Sequence, residues 1–588
     1  MWSESRMMTS SVERRRRRAL LLASAGVLLT SCGTDAPTMP TPTEASCNGV
    51  SVAVRSLAPL EHVIISSAQA ACFALAGGNR EYLVVPQLTG AALPYGGYQF
   101  RLGEPTALAA LAVSPGALPP RSMRIGADDI SADTLADAPR RFDALLRARE
   151  ARWIAPSPAD RVRAVAAPNL NVTGSADTLR RFSVLNTLGA TPAYTPVTAR
   201  LRFAGTRVLL YVDTLANSAL SDGELQGMGA LYDQRLAPAV TASFGDGSDI
   251  DGNGRVVFLL TPTVNALVTA TQCASTGFIR GFFYNHDLTS TDITSNRAEI
   301  FYAYVPDEGG RWSCAHRKAD VLANLPPTFM HELQHMISFG EHALERNGPA
   351  EEVWLNEALS HMAEEIGSLS YETRFPAPSG RTNPASIFPD SASPFINPNL
   401  LYSYRYLFSS ATYSLTSCAV GTFCTLAERG GTWLMLRWIA DQQGAATLRR
   451  LVETNLAGRA NLEAATGRST AALLGEFALA VSTDSISGMP RSTAPASLRF
   501  NSRNLRRLYR SLFDAFGIAG GVGRSFPIEP LPLAAASAVT GTMRPGTFLT
   551  YRLRLTEGVP TAVLRFLAGD GTPFPLTSGA QISIVRLP

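Results

Sequence analysis

The stretch His331-Glu332-Leu333-Gln334-His335 constrains this chain more than any other part of it. On an α-helix, residues four apart leave the same face with Cβ atoms roughly 6 Å apart. Two imidazoles at that spacing can meet one tetrahedral Zn²⁺ at about 2.0–2.1 Å. Glu332, beside the first histidine, can then reach a water at the metal without being a ligand itself. The segment must therefore be a helix with one metal-holding stripe, its other faces packed. Pro326 and Pro327 stand where such a helix can begin, because first-turn N–H groups lack partners anyway. The spacing predicts this helix over Pro327 to Glu341. Histidine is scarce, at seven in 588 residues, so a chance match is on the order of one in a few hundred.

A chain this long exceeds one compact core, and roughly two to four domains are expected. Hydrophobic residues at 46% and charged residues at 17% describe a folded protein rather than a disordered one. The net charge of +4 gives no reason to expect a nucleic-acid partner. Lys318 is the single lysine, so nearly all the positive charge is arginine.

Residues 1–31 read as an export signal. Arg14 to Arg18 form a positive start, Ala19 to Thr30 a short apolar run, and Ser31 and Cys32 follow. The run is too short to span a bilayer as a mature helix. Leu29-Thr30-Ser31-Cys32 resembles a bacterial lipobox, which makes Cys32 the candidate lipidation site. An ordinary secretory signal with an incidental cysteine is the alternative. Residues 32–46, rich in Thr and Pro, suit a semi-rigid tether. These features predict an exported protein of a bacterial cell envelope, held to the outer membrane or cell surface through a lipid anchor only. The six other cysteines, an even number, suit an oxidising compartment. Pairing of sequence neighbours gives Cys47–Cys72, Cys273–Cys314 and Cys418–Cys424.

Short β-like runs separated by Gly and Pro suggest a small β-domain over 47–105. Residues 106–195 read as a linker or a propeptide-like segment, with a helix from Pro139 to Arg152. From 196 the texture changes. Two paired strands lead into a helix from Ser221 to Ala239, capped by Ser221, and strands return at Arg255–Leu260 and Glu299–Val305. Helices then follow at Pro327–Glu341, Glu352–Ile366 and Thr432–Gln442. Strands first and helices afterwards predict an α+β domain over 196–485. Residues 486–588 read as a C-terminal β-domain.

Zinc needs a third protein ligand. A histidine six positions after His335, preceded by a glycine, would be one solution, but Ser338 and Glu341 occupy those places. The next helix offers Trp354-Leu355-Asn356-Glu357-Ala358-Leu359-Ser360. Together, HELQHMISF and WLNEALSHMAEE resemble the hyicolysin-like zinc metallopeptidases, as do the stretches at Asp249–Arg255, Ser295–Tyr302 and Thr432–Gly444. The likeness spans about 196–485 and is specific around the two helices. Ala358 stands where that family more often has glycine. The resemblance implies a gluzincin, with a thermolysin-like catalytic domain flanked by small β-domains. It makes Glu357 the third ligand beside His331 and His335, with one catalytic zinc. It also suggests that Glu299–Val305 is the edge strand that pairs with substrate.

The chemistry expected is peptide-bond hydrolysis in extracytoplasmic proteins or peptides, with Glu332 as general base and then acid. His361, Tyr402, Tyr404 and Tyr406 are candidates for holding the oxyanion. His361 equally fits a partner of a ligand or a packed helix residue, and the tyrosines fit ordinary packing. Asp249, Asp251 and Asn253 match the first half of a calcium loop, but Leu260 stands where a closing glutamate belongs. A Gly- and Asp-rich turn is the plainer reading there. Two other functions compete: an aminopeptidase, and a surface-anchored binding or adhesion lipoprotein that retains an inactive metallopeptidase fold.

Overall fold

The computed structural model describes residues 43–90, 97–111, 137–153, 178–216, 219–289, 292–372, 393–418, 424–489 and 492–588. The expected export signal and Cys32 lie outside these residues. So does most of the tether, whose last residues form the strand Glu44–Cys47. The class is α+β, and all three neighbour disulfides form. No helix among the described residues is long and apolar enough to cross a membrane.

The two end segments do not stand apart as separate flanking domains. The strand Thr561–Ala568 pairs with Phe73–Ala76 and with Tyr98–Gly103, and Ala580–Arg586 pairs with Arg80–Leu88. Both chain ends thus build common sheets around one apolar cluster. Arg80–Leu88 shows why its stretch Tyr82–Val85 reads as an unbroken apolar run. Tyr82, Val84 and Leu88 enter that cluster, while Leu83 and Val85 point the other way into the main core. With both faces covered, a strand has no polar side to show.

The main core surrounds a second sheet. Its strands are β1 (Leu179–Leu185), β2 (Tyr194–Ala204), β3 (Val208–Asp213), β4 (Val256–Leu260), β5 (Gly281–Phe283) and β6 (Ile300–Ala303). The order is β5-β6-β4-β3-β2-β1, with β4 parallel to both β3 and β6. The expected edge strand is therefore internal. β6 is covered by β5, which lies antiparallel to it and takes the edge.

The helix expected from Ser221 is interrupted. Ser221 does cap Asp222–Leu231 through a capping box, but Tyr232–Leu236 is a π-turn before the helix resumes at Ala237–Phe244. The helices that matter for the site are α1 (Asp137–Ala151), α2 (Lys318–Phe339), α3 (Val353–Glu372), α4 (Ser393–Phe408) and α5 (Leu426–Gln443). α2 starts well before its prolines. An interior proline costs about 3 kcal/mol, yet Val321, Leu325 and Phe329 continue one buried stripe through Pro326 and Pro327. Each of those side chains contributes ~1.5–3 kcal/mol by burial, which outweighs the break. Thr328 Oγ1 also donates to the carbonyl of Asn324 at 2.8 Å, within the disturbed turn.

α5 likewise begins earlier than expected, at a capping box of Thr425 and Glu428, and runs through Gly430 and Gly431. A Cβ on Gly430 would lie 2.3 Å from the backbone N of Ser403, and one on Gly431 2.4 Å from the Tyr406 ring. The glycines let α4 and α5 touch closely rather than ending the helix.

Candidate active site

α2 is fixed against the sheet by Phe329, whose ring stacks on Tyr232 at 4.6 Å and meets Phe258 and Phe301 at 6.1 and 5.7 Å. That contact turns His331, Glu332 and His335 towards α3. α3 is anchored in turn by Glu365, a fully buried carboxylate held by Arg503 at 3.0 Å and by Trp433 Nε1 at 3.2 Å.

Between the two helices His331 Nε2 and His335 Nε2 approach to 3.1 Å. Glu357 presents Oε2 at 3.7 Å from the first and Oε1 at 3.4 Å from the second. Ligand atoms of these three residues lie within 4.8 Å of one another, a group that could hold a metal ion. Their donor set suits one. Glu357 Oε1 is buried without a hydrogen-bond partner, and the two Nε2 atoms face each other, with Ser360 Oγ 3.3 Å from that of His335.

The surrounding contacts orient each group. His331 Nδ1 is 2.9 Å from Glu364 Oε1, and His335 Nδ1 is 3.0 Å from Asn356 Oδ1. Ser360 Oγ lies 3.0 Å from the same Nδ1 and donates to Gln334 Oε1 at 2.6 Å. Glu357 Oε2 accepts from Arg429, whose other terminal nitrogen donates to Asp143 of α1 at 2.9 Å. Glu332 Oε2 accepts from the backbone N–H of Phe283, on edge strand β5, at 3.0 Å.

These contacts set the charges. Burial would weaken the basicity of His331, but the hydrogen bond to Glu364 and the carboxylates of Glu364, Glu357 and Glu332 push its pKa up to about 9. Burial raises the Glu332 carboxyl to about 7, against the pull of His331 and Arg147. Glu357 is buried too, yet Arg429 and His331 bring it down to about 2, so it is a fixed anion. Glu364 is held well below the usual carboxylate range, because His361 and His331 outweigh its burial.

A cavity of about 270 Å³ opens on this group, with His331, Glu332, His361, Tyr402, Arg280 and Arg429 in its wall. Of the candidate oxyanion residues, His361 and Tyr402 are at the cavity. The His361 ring lies 5.1 Å from that of His331, its Nδ1 is 2.9 Å from Glu364 Oε2, and its Nε2 is buried without a partner. Tyr404 is committed elsewhere, exchanging hydrogen bonds with the backbone of Arg524 at 2.8 and 3.0 Å. Tyr406 packs under Gly431 and beside Phe548 in the core. His342 is buried and donates to the carbonyl of Leu451 at 3.1 Å. Asp249 and Asp251 lie together in the loop before β4, and Asn253 donates its amide to Asp251 at 2.6 Å.

Glu364, Asn356, Arg429 and Asp143 were not singled out from the sequence. Glu364 lies two helical turns beyond Glu357 and one beyond His361, so helical spacing alone would have found it. Arg429 and Asp143 reach the site from α5 and α1, and no local signal marks them.

No family model matches the chain. Over 170 residues, 29% of its length, it is 27% identical to the neutral metalloprotease ShpI of Staphylococcus hyicus. The match covers 36% of that protein, so the chain spans little more than a third of the curated relative's length.

Proposed function

We propose that this chain is a zinc-dependent metallopeptidase that hydrolyses internal peptide bonds of extracytoplasmic proteins. The observation that carries the reading is the convergence of His331, His335 and Glu357 on one point, with Glu332 beside them at the cavity wall. The partial likeness to a neutral metalloprotease supports it, and the three disulfides suit an exported protein.

His331 Nε2, His335 Nε2 and a Glu357 carboxylate oxygen would hold the zinc, which when bound supplies Lewis acidity for the scissile carbonyl and for a water. The chain's own groups do the rest. An extended substrate pairs with the open edge of β5. Phe283 N–H holds Glu332 Oε2 and leaves Oε1 to take the water proton. Glu332 then passes that proton to the leaving nitrogen, a role suited to a carboxyl poised near neutrality. Glu364 orients His361, whose Nε2–H is the donor for the developing oxyanion.

α1 supports the propeptide-like reading for its own part of 106–195 only, since Leu179–Leu185 is a strand of the main sheet. Phe142 packs edge-to-face on Phe282 of β5 at 5.1 Å, at the edge where substrate would pair. Asp143 takes the Arg429 guanidinium beside Glu357. Within α1 the buried Arg147 is ion-paired with Glu150 at 3.1 Å and with Asp143 at 3.4 Å. α1 is thus an internal occupant of the cleft.

The test is hydrolysis of a mixed peptide library by the zinc-loaded protein, with and without a chelator, on N-terminally capped and free peptides. Chelator-sensitive cleavage inside capped peptides is expected. Cleavage restricted to free N-termini would make it an aminopeptidase, and no cleavage in any α1-weakened variant would end the peptidase reading.

A further inference from the structure

The loop Asp249-Ile250-Asp251-Gly252-Asn253-Gly254-Arg255 begins like a calcium loop and lacks its closing glutamate. Leu260, at the closing position, is wholly buried in β4. The missing carboxylate comes from elsewhere in the chain. Glu299, the residue before β6, is brought against the loop, and ligand oxygens of Asp249, Asp251 and Glu299 lie within 4.8 Å of one another. That span matches a sphere of oxygens about 2.3–2.6 Å from a central Ca²⁺.

Glu299 carries the argument beyond a mere cluster of acids. It is 3% exposed. Its Oε1 accepts from Ser248 Oγ at 2.8 Å and from Ile250 N–H at 3.0 Å, which fixes the carboxylate in place. Its Oε2 is buried and no other residue donates a hydrogen bond to it. A buried carboxylate oxygen without a donor is costly, and native structures rarely keep one uncompensated. Among the described residues none of the three carboxylates is in a salt bridge, and Arg180 acts on Asp251 only from beyond contact distance.

We infer that Asp249, Asp251 and Glu299 bind one calcium ion, with Glu299 Oε2 as the buried ligand that completes the half-loop. An all-oxygen set without imidazole or thiolate selects a hard cation, and the remaining positions fall to loop carbonyls and water. The ion would replace Asn253 Nδ2 as the partner of Asp251 Oδ2. The site also touches the helix of the candidate active site. A Cβ on Gly340 would meet the Ser248 backbone N at 2.9 Å, and Gly247 packs on Ile337. Calcium therefore pins the loop on which the C-terminal end of α2 rests, whether or not the chain is a peptidase.

The experiment is titration of the zinc-loaded full chain with calcium chloride, read by calorimetry and by thermal unfolding. One bound ion and a higher melting temperature are expected. Glu299→Gln should keep the far-ultraviolet spectrum, melt higher than wild type without calcium, and bind calcium at least about tenfold more weakly. Asp249→Asn, at an exposed position, should weaken binding while leaving the calcium-free melting temperature nearly unchanged, and it decides the matter if Glu299→Gln does not fold. Absence of binding, or wild-type affinity in the variant that folds, would overturn the assignment.

Discussion

His331 and Glu364 are joined at 2.9 Å from Nδ1 to Oε1, on the side of the ring away from Glu357. Because Glu364 holds its charge and can only accept, Nδ1 keeps its hydrogen and Nε2 is the nitrogen that would give up its proton to a metal. Loss of such a partner typically costs 10–100-fold in metal affinity. Glu364→Ala should therefore weaken zinc binding by roughly that factor, measured by competition with a chromogenic chelator. Glu364→Gln, which can still accept at its oxygen, should lose less. Equal affinity in all three proteins would make Glu364 a bystander.

The pH profile reads Glu332. Burial raises its pKa to about 7, so the carboxylate that can accept a proton exists only as pH rises through that value. Added positive charge from a bound cation pulls the transition lower. kcat/KM on peptides without ionisable groups should rise along a single acidic limb centred at or below about 7. A rate constant across this range would put the general base elsewhere.

Displacement of α1 should be limiting. A partly buried, charge-assisted hydrogen bond such as that of Asp143 with Arg429 contributes about 1.5–3 kcal/mol. Asp143→Ala weakens the closed arrangement while Arg429 keeps Glu357. Hydrolysis by the full chain should increase roughly tenfold, with zinc content unchanged. An unchanged or lower rate would mean that α1 is a fixed wall of the cleft.

Two glycines should respond to alanine in opposite directions. At Gly430 the new Cβ meets the backbone of Tyr402 and Ser403 at 2.3 Å, so α4 and α5 must separate, at about 1–3 kcal/mol. At Gly227, inside Asp222–Leu231, it meets nothing within 4 Å and the helix gains ~1 kcal/mol. Denaturant unfolding of both variants checks the pair. Equal behaviour would remove close approach as the reason for the Gly430-Gly431 step.

What could be read from the sequence was local. The spacing of His331 and His335 and the stretch around Glu357 mark two facing helices because helical periodicity is written in neighbouring residues. The first boundary of α2 differs from the expected one because Pro326 and Pro327 look like a start, whereas burial of Val321 and Leu325 carries the helix past them. The same holds at Thr425, where a capping box starts α5 ahead of two apparent breakers. Pairing of Ala562 with Leu75 depends on chain ends meeting in space, so two β-segments looked like two domains. Arg429 and Asp143 stayed hidden for the same reason, and so did Glu299.

The most direct test of the central claim is zinc content measured together with peptide hydrolysis, for the wild-type chain and for Glu332→Gln, each also carrying Asp143→Ala. The account predicts one zinc in both proteins and cleavage only where Glu332 is present. Cleavage that survives Glu332→Gln, or zinc absent from both, would contradict it.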